Sequence, residues 1–410
     1  MNTTFEPRRI VVAGAGAAGL SVAETARAAG YQGELLIVGR ERHIPYDRPP
    51  LSKQVLSGAW HPDRTFLRQQ DHLDKLGITV RVAEPITALD EDAREVVLAG
   101  GERIWYDALA IATGVNPRTL PDTEHLSGLH VLRDLEHALA LRDALNPGHR
   151  LVIIGAGVLG SEVAAVAAGL GVEVTIVDPL PRPMARVVGH EISQLITELH
   201  DEHGVRLILG AGVSDFVHDG GRVQGVQLSD GRHLDAHSVL VAIGSDPATD
   251  WITTGSIRLG GRSPAEGSGG ILCSETGSAA PHIFAAGDVA AWWNAATARY
   301  IRVEHRLNAA EQGRTVAKSI LTPSHSPVPP VPYFWSDQYG LKLQCFGTFD
   351  PDDDFVVVHG SLAERRFVGV YVSEGMVTAV TGIGLHREIR TWSASIGKPM
   401  PVGTISAPAP

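Results

Sequence analysis

The same six-residue turn occurs twice in this chain, as Gly14-Ala15-Gly16-Ala17-Ala18-Gly19 and as Gly155-Ala156-Gly157-Val158-Leu159-Gly160. In such a turn the first glycine permits a tight reversal, the second lets a pyrophosphate approach the backbone, and the third lets a helix pack closely on the preceding strand. The start of the helix then faces the phosphates with its unpaired amides. One match would carry little weight in a chain with 45 glycines. Context supplies the weight. Arg9-Ile10-Val11-Val12-Ala13 reads as a buried parallel strand, Leu20 to Ala29 as an alanine-rich helix, and Glu34-Leu35-Leu36-Ile37-Val38 as the next strand. The second copy repeats this with Leu151-Val152-Ile153-Ile154, Ser161 to Leu170 and Val172 to Val177. Two βαβ units, and hence two dinucleotides, are predicted.

Composition narrows what else the chain can do. At about 150 residues per domain, 410 residues point to two or three domains. A net charge of −11 with no basic run argues against nucleic acid or an anionic membrane as main partner. The two cysteines, Cys273 and Cys345, form no Cys-x-x-Cys pattern, which counts against disulfide reductase chemistry and a zinc site. Of the 18 histidines only His233 and His237 stand at His-x-x-x-His spacing and none at His-Glu-x-x-His, so scattered surface histidines are the better account and no metal is expected. Arg8-Arg9 before an apolar run has the look of a twin-arginine export signal, but those residues are needed for the first strand and turn. The longest uncharged apolar stretch, Ile10 to Ala23, is too short and glycine-rich to span a bilayer. A soluble cytoplasmic protein is expected.

Between the two βαβ units, Ile44 to Lys53 contains three prolines, which exclude regular helix or central strand and predict an extended segment ending in a placed lysine. Short strands are predicted near Thr79 to Val82 and at Glu95 to Leu98, and Ala108 to Ala112 reads as a strand ending at Thr113-Gly114. Asp219-Gly220 and Asp230-Gly231 read as hairpin turns. Ser238 to Gly244 has the same form as the strand ending at Thr113-Gly114. Then come an apolar strand ending in Gly287-Asp288, a helix from about Leu307 to Leu321, and a proline-rich linker, Thr322 to Pro332. Alternation at Leu341, Leu343 and Cys345, with strands at Phe355 to Val358 and Phe367 to Val372, predicts a small β-rich domain. It closes with a helix near Arg387 to Ser395, and Ser406 to Pro410 is expected to be a disordered tail.

An interrupted first domain, an inserted second βαβ, Gly287-Asp288 and a β-rich C-terminal part together resemble the two-dinucleotide-binding flavoproteins. Among these the chain looks like the NADH-dependent ferredoxin reductases. The resemblance spans nearly the whole chain and is most specific at Arg48-Pro49-Pro50-Leu51-Ser52-Lys53, Phe284 to Val289, Asn308 to Gly313 and Phe334 to Tyr339. It implies an α/β fold of two Rossmann-like, glutathione-reductase-like domains plus a small α+β domain. The expected division is an FAD-binding domain over 1–115 and 247–325, an NAD-binding domain over 116–246, and a C-terminal domain over 326–410.

By this resemblance Lys53 reaches the flavin edge and pairs with Glu162, the two forming the catalytic pair; a surface lysine and a helix-solvating glutamate are the plain alternative. Asp288 meets the ribityl or phosphate region of FAD, or is simply the N-cap of the following helix. The family places a carboxylate on the FAD ribose where this chain has Arg40, so Glu41 is the candidate donor, and Arg306 stands where a tryptophan is common near the flavin. Asp178, at the end of the second copy's second strand, favours NADH over NADPH, although Arg182 and Arg186 lie close by. The cofactor-binding residues implied are Gly14, Gly16, Ala17, Ala18, Gly19, Arg40, Glu41, Arg48, Lys53, Ile86, Ala112, Thr113, Gly114 and Arg133. With them go Gly155, Gly157, Val158, Leu159, Gly160, Asp178, Arg186, Gly244, Gly287, Asp288, Arg306 and Trp335.

The implied reaction takes hydride from NADH to FAD and passes electrons singly to a [2Fe–2S] ferredoxin that serves a haem monooxygenase or a Rieske oxygenase. Arg299, Arg302, Arg306 and Arg314 are candidates for a basic docking patch, or form a solvated face. An NADH oxidase or a reductase of quinones or radicals would have the same architecture, and a flavoprotein binding module is a further alternative that the acidic balance disfavours. A monomer or weak homodimer is expected.

Overall fold

The computed structural model describes residues 7–401 apart from 124, 254, 264–265, 296 and 323–330. Most of the linker expected at Thr322 to Pro332, and the whole tail from Ser406, fall outside the described residues. The chain forms two compact units, one from Met1–Arg48, Asp63–Asn116 and Ser245–Pro330, the other from Pro49–Pro62, Pro117–Gly244 and Val331–Pro410.

The first unit is built on a six-stranded sheet in the order 278–280, 283–285, 108–111, 9–13, 34–38, 78–81. All pairings are parallel except the edge hairpin of 278–280 with 283–285. The central strand Arg9–Ala13 explains why its sequence is unbroken apolar rather than alternating. Ile10 and Val12 face one layer with Val22, Leu35, Ile37, Val316 and Ile320, while Val11 and Ala13 face another with Leu36, Leu109, Val96 and Ile271. Both faces are covered, so both must be apolar, at about 1.5–3 kcal/mol per fully buried aliphatic side chain. The helices Ala17–Ala28 and Arg306–Leu321 lie against each other on the first face. Gly313 permits their close approach, since a Cβ there would stand 2.5 Å from the Ala18 carbonyl oxygen. Two three-stranded sheets complete the unit, 86–90 with 95–98 and 103–105, and 271–273 with 290–294 and 299–302.

The second unit holds a five-stranded parallel sheet in the order 206–209, 173–178, 150–154, 238–241, 129–130. The helices Leu135–Ala144, Val158–Gly169 and His190–Glu202 belong to it. Hairpin turns do occur at Asp219-Gly220 and Asp230-Gly231, joining 213–219 to 222–228 and 222–228 to 233–235. The C-terminal part is a five-stranded antiparallel sheet, ordered 333–338, 341–347, 376–383, 366–373, 354–361, closed by the helix His386–Ser393. One face of that sheet, through Leu343, Cys345, Phe367 and Ile383, packs on Ile192, Leu195, Ile196 and Leu199 of the helix His190–Glu202. The other face, with Val368, Val370 and Val380, covers Ile389 and Trp392.

The segment before Lys53 is not extended. Pro49–Ser52 is a 3₁₀ turn, because a proline φ near −65° suits the first turn of a helix, where no N–H is needed. Among the described residues no helix is long and apolar enough to cross a membrane, and no group of three His, Cys, Asp or Glu side chains is placed to hold a metal.

Candidate nucleotide sites

The two glycine turns have the same construction in their separate units. Gly14 has φ +122° and Gly155 φ +111°, and a Cβ on either would sit 2.2 and 2.3 Å from the carbonyl oxygens of Ala112 and Ala242. The strands ending at Thr113-Gly114 and at Ile243-Gly244 thus close on the first glycine of each turn. Gly14 N donates to Val38 O at 2.7 Å and Gly155 N to Val177 O at 2.8 Å, which locks each turn to the next strand. At the third glycine a Cβ would lie 2.1 Å from Gly14 O in one copy and 2.0 Å from Gly155 O in the other.

The middle glycines differ from these. At Gly16 and at Gly157 an added Cβ meets nothing described within 4 Å, and both residues have extended backbone with negative φ. They are the N-caps of helices Ala17–Ala28 and Val158–Gly169. Neither cap has a side-chain bond, and neither helix has an acidic residue in its first turn. Ala17 and Ala18 in one copy, Val158 and Leu159 in the other, therefore present uncompensated amides on an open side. That is a cradle for a phosphate diester of a dinucleotide.

Around the first turn, Gly287 lies where a Cβ would be 3.0 Å from that of Ala18. Gly287 N donates to Gln312 Oε1 at 2.8 Å, and an Arg302 guanidinium N–H donates to the Asp288 carbonyl at 3.0 Å. Asp288 does not cap a helix, because the strand Ala290–Asn294 follows it and the helix Arg306–Leu321 has His305 as its N-cap. Burial pushes the His305 imidazole down to about 4, with Asp288 opposing. Glu41 bonds to the Tyr46 hydroxyl and pairs with Arg48 at 2.6 Å, while Arg40 is exposed and donates to Asn116 Oδ1 at 2.5 Å. The Glu41 carboxylate is thus engaged by Tyr46 and Arg48, a network the sequence reading did not foresee. Ile86 packs against the Leu89 and Val96 face of the core. Of the four arginines expected to form a basic patch, Arg302 pairs with Glu304 at 2.6 Å, Arg306 with Asp47, and Arg314 with Glu311 at 2.5 Å. Only Arg299 shows no ion pair among the described ones, so most of that charge is spent locally.

In the second unit Asp178 accepts from Ala156 N at 2.7 Å and from Leu180 N at 2.8 Å, fixing its carboxylate beside the turn. Met184, at φ +54°, donates its N–H to Ala156 O at 2.7 Å, so the stretch after Asp178 folds back on the turn. Arg186 is exposed, and Arg182 contacts His190 Nδ1 at 2.8 Å. Arg118 N donates to Gly244 O at 3.0 Å.

Lys53 and Glu162 meet in this unit, as the sequence reading paired them. Lys53 Nζ lies 2.6 Å from Glu162 Oε2, with side chains 10% and 4% exposed. Breaking such a buried pair by removing one partner leaves an unpaired charge and costs about 3–5 kcal/mol. Ser52 Oγ donates to the same oxygen at 2.6 Å, and Ser336 Oγ donates to Oε1 at 3.0 Å. Arg133 immediately precedes Asp134, the N-cap of helix Leu135–Ala144, and Trp335 sits under the Lys342 ammonium in the C-terminal sheet. Ser52, Ser336 and Met184 were missed as functional candidates. Ser52 and Ser336 lie in the stretches Arg48 to Lys53 and Phe334 to Tyr339 where the resemblance is most specific, and the period-two placement of Ser336 on the strand face shared with Phe334 and Gln338 was a further signal.

Two equivalent phosphate cradles on two parallel sheets define a protein made to hold two dinucleotides. The profile of pyridine nucleotide-disulphide oxidoreductases matches residues 8–313, and the chain belongs to that family. A reductase C-terminal domain matches residues 333–403. The chain is 33% identical to the ferredoxin–NAD(+) reductase component of the biphenyl dioxygenase system of Paraburkholderia xenovorans, over 95% of this chain and 93% of that one. It is also 33% identical to putidaredoxin reductase of Pseudomonas putida, over 96% and 92%. The solved covalent putidaredoxin reductase–putidaredoxin complex matches with a TM-score of 0.87 at 32% identity, covering 96% of this chain and 94% of that one.

Proposed function

We propose that this protein is an FAD-dependent NADH:ferredoxin reductase, serving a [2Fe–2S] ferredoxin that feeds a haem monooxygenase or a Rieske oxygenase. The observation that carries the reading is the pair of equivalent open cradles combined with a buried Lys53–Glu162 pair and no reactive thiol. Cys273 and Cys345 are both free and buried, and burial pushes the Cys345 thiol up to about 12 and the Cys273 thiol higher still. Neither is a thiolate near neutral pH, so the disulfide exchange practised in other branches of this family has no nucleophile here.

Bound FAD supplies the conversion of a two-electron hydride into single electrons. The chain supplies position and charge. The amides of Gly16 to Gly19, with Asp288 and Arg48, are the proposed hold on FAD. Those of Gly157 to Gly160, with Asp178 accepting ribose hydroxyls and repelling a 2′-phosphate, are the proposed hold on NADH. Lys53 places a positive charge for negative charge that builds up on the flavin side, and Glu162 keeps that ammonium in place. No general base or covalent nucleophile is required.

The internally paired arginines favour one second reading, an NADH oxidase or small-molecule reductase, because they leave little basic surface for an acidic ferredoxin at 299–314. Cytochrome c reduction with NADH, measured with and without an added [2Fe–2S] ferredoxin, separates the two. A rate that rises strongly with ferredoxin supports the first reading, and brisk NADH consumption indifferent to ferredoxin supports the second.

A further inference from the structure

Strand Tyr333–Gln338 turns Ser336 and Gln338 inward, 1% and 5% exposed, beside a small cavity lined by Leu195, Leu199, Leu343 and Ile383. Aliphatic side chains would suit that place better, since buried polar groups destabilise unless they are bonded. Their donors are bonded in series, while Gln338 Oε1 has no hydrogen-bond partner among the described residues. Gln338 Nε2 donates to Ser336 Oγ at 3.0 Å, and Ser336 Oγ donates to Glu162 Oε1 at 3.0 Å. A serine hydroxyl carries one hydrogen, and an amide N–H aimed at its lone pair directs that hydrogen away, toward the carboxylate. The same Gln338 amide reaches Met184 Sδ at 3.5 Å, and Met184 is bonded through its backbone to Ala156 of the second turn.

Glu162 is therefore held at both oxygens. Oε1 takes Ser336 Oγ at 3.0 Å and the Asp337 N–H at 3.4 Å, and Oε2 takes Ser52 Oγ and Lys53 Nζ, each at 2.6 Å. Lys53 in turn donates to the Pro49 carbonyl at 3.2 Å, so the ammonium has one place defined by Glu162 and one by the 3₁₀ turn. If Oε1 loses the Ser336 hydroxyl it keeps only the long bond from Asp337 N–H, so the carboxylate shifts and the ammonium follows it.

We propose that Ser336 and Gln338 are positioning residues for the reaction. By fixing the Glu162 carboxylate they fix the Lys53 ammonium, so a strand of the C-terminal sheet, outside both glycine-turn folds, takes part in hydride transfer. The inference rests on the reductase reading above, and the test separates the failure of one from the failure of the other.

In the full-length holoenzyme, Ser336→Ala and Gln338→Leu are expected to slow flavin bleaching by NADH in stopped flow about tenfold, the scale of one lost hydrogen bond to a charged group. The apparent dissociation constant for NADH stays within about twofold. Ser336→Thr, which keeps the hydroxyl, restores most of the rate. A second readout does not depend on turnover: acetylation of Lys53 by acetic anhydride, followed by peptide mass spectrometry, becomes several-fold faster in Ser336→Ala and not in Ser336→Thr. Wild-type bleaching and wild-type Lys53 acetylation in both Ser336→Ala and Gln338→Leu, with Glu162→Gln slow, overturn the inference and leave the reductase reading standing. If Glu162→Gln also bleaches at the wild-type rate, the role given to the Lys53–Glu162 pair falls and the inference with it. Should Ser336→Ala fail to fold, Gln338→Leu carries the same test.

Discussion

Replacing the middle glycine of the second turn by alanine separates binding from folding. Gly157 has φ −74° and ψ −173°, a conformation open to any residue, and its added Cβ meets nothing described within 4 Å. Alanine is a poorer N-cap than glycine, but it lowers the entropy of the unfolded chain by about 0.4–1 kcal/mol, so the two effects largely cancel. Stability should stay within about 1 kcal/mol of wild type. The methyl occupies the side on which a pyrophosphate must approach, and loss of one hydrogen bond to a charged group is about 1.5–3 kcal/mol. NADH affinity should therefore fall about ten- to hundredfold. Gly160→Ala is the contrasting case, since its Cβ would stand 2.0 Å from Gly155 O and force the turn apart. Overpacking of that kind costs about 1–3 kcal/mol, so the melting temperature should drop clearly. NADH titration by fluorescence and thermal melts of both holoproteins make the comparison. If Gly157→Ala binds NADH within twofold of wild type, or melts as low as Gly160→Ala, the open side of the turn is not a phosphate site.

Two further outcomes follow from the second unit. Asp178→Ala removes the carboxylate held by Ala156 N and Leu180 N, and the ratio of kcat/KM for NADH over NADPH should fall at least about tenfold; an unchanged ratio rejects Asp178 as the discriminating residue. His200 is fully buried, bonded to the Tyr339 hydroxyl at 2.6 Å, and burial pushes its imidazole down to about 4. The unfolded chain takes up that proton near pH 6.5, so the stability tied to neutral His200 is complete above about pH 6.5 and is lost as the pH falls toward 4. Wild type should lose up to about 3 kcal/mol more than His200→Gln between pH 7 and 4. Parallel urea titrations of the two proteins over that range would contradict the assignment.

The glycine turns were legible because each position answers a steric demand made by the backbone itself. The strands read at Glu95 to Leu98 and Phe367 to Val372 and the helix read from about Leu307 to Leu321 lie at 95–98, 366–373 and 306–321. Pairing of Lys53 with Glu162, far apart in sequence, was read through resemblance and not from either residue alone. What stayed hidden depends on neighbours that no local pattern reveals. Pro49 and Pro50 forbid an ordinary helix yet are at home in a 3₁₀ turn, so the extended reading failed. Asp288 has the chemistry of an N-cap, but the next element is a strand. Arg302 finds the carboxylate of Glu304 two residues on, Arg306 that of Asp47 from another stretch, and Arg314 that of Glu311 one helical turn back, so composition overstated the positive surface. Ser336 and Gln338 alternate like any half-buried strand, and only the arrival of Glu162 gives them a task.

The discontinuity of the first unit has a consequence for how the chain leaves the ribosome. Strand Ala108–Ile111 is an inner strand whose second neighbour, Ile283–Ala285, is the next to pair with it in space but is made far later. At a synthesis rate of about 5–20 residues per second, roughly 10–35 s pass between them. Throughout that interval the nascent sheet exposes an all-apolar edge with unpaired backbone groups, the kind of surface that recruits other strands. Residues 117–244 emerge during the same interval carrying all five strands of their own parallel sheet. The strands that carry the second glycine turn are therefore all made while the first turn's sheet still waits for its strand Ile283–Ala285, and a growing chain completes the second cradle's sheet before the first.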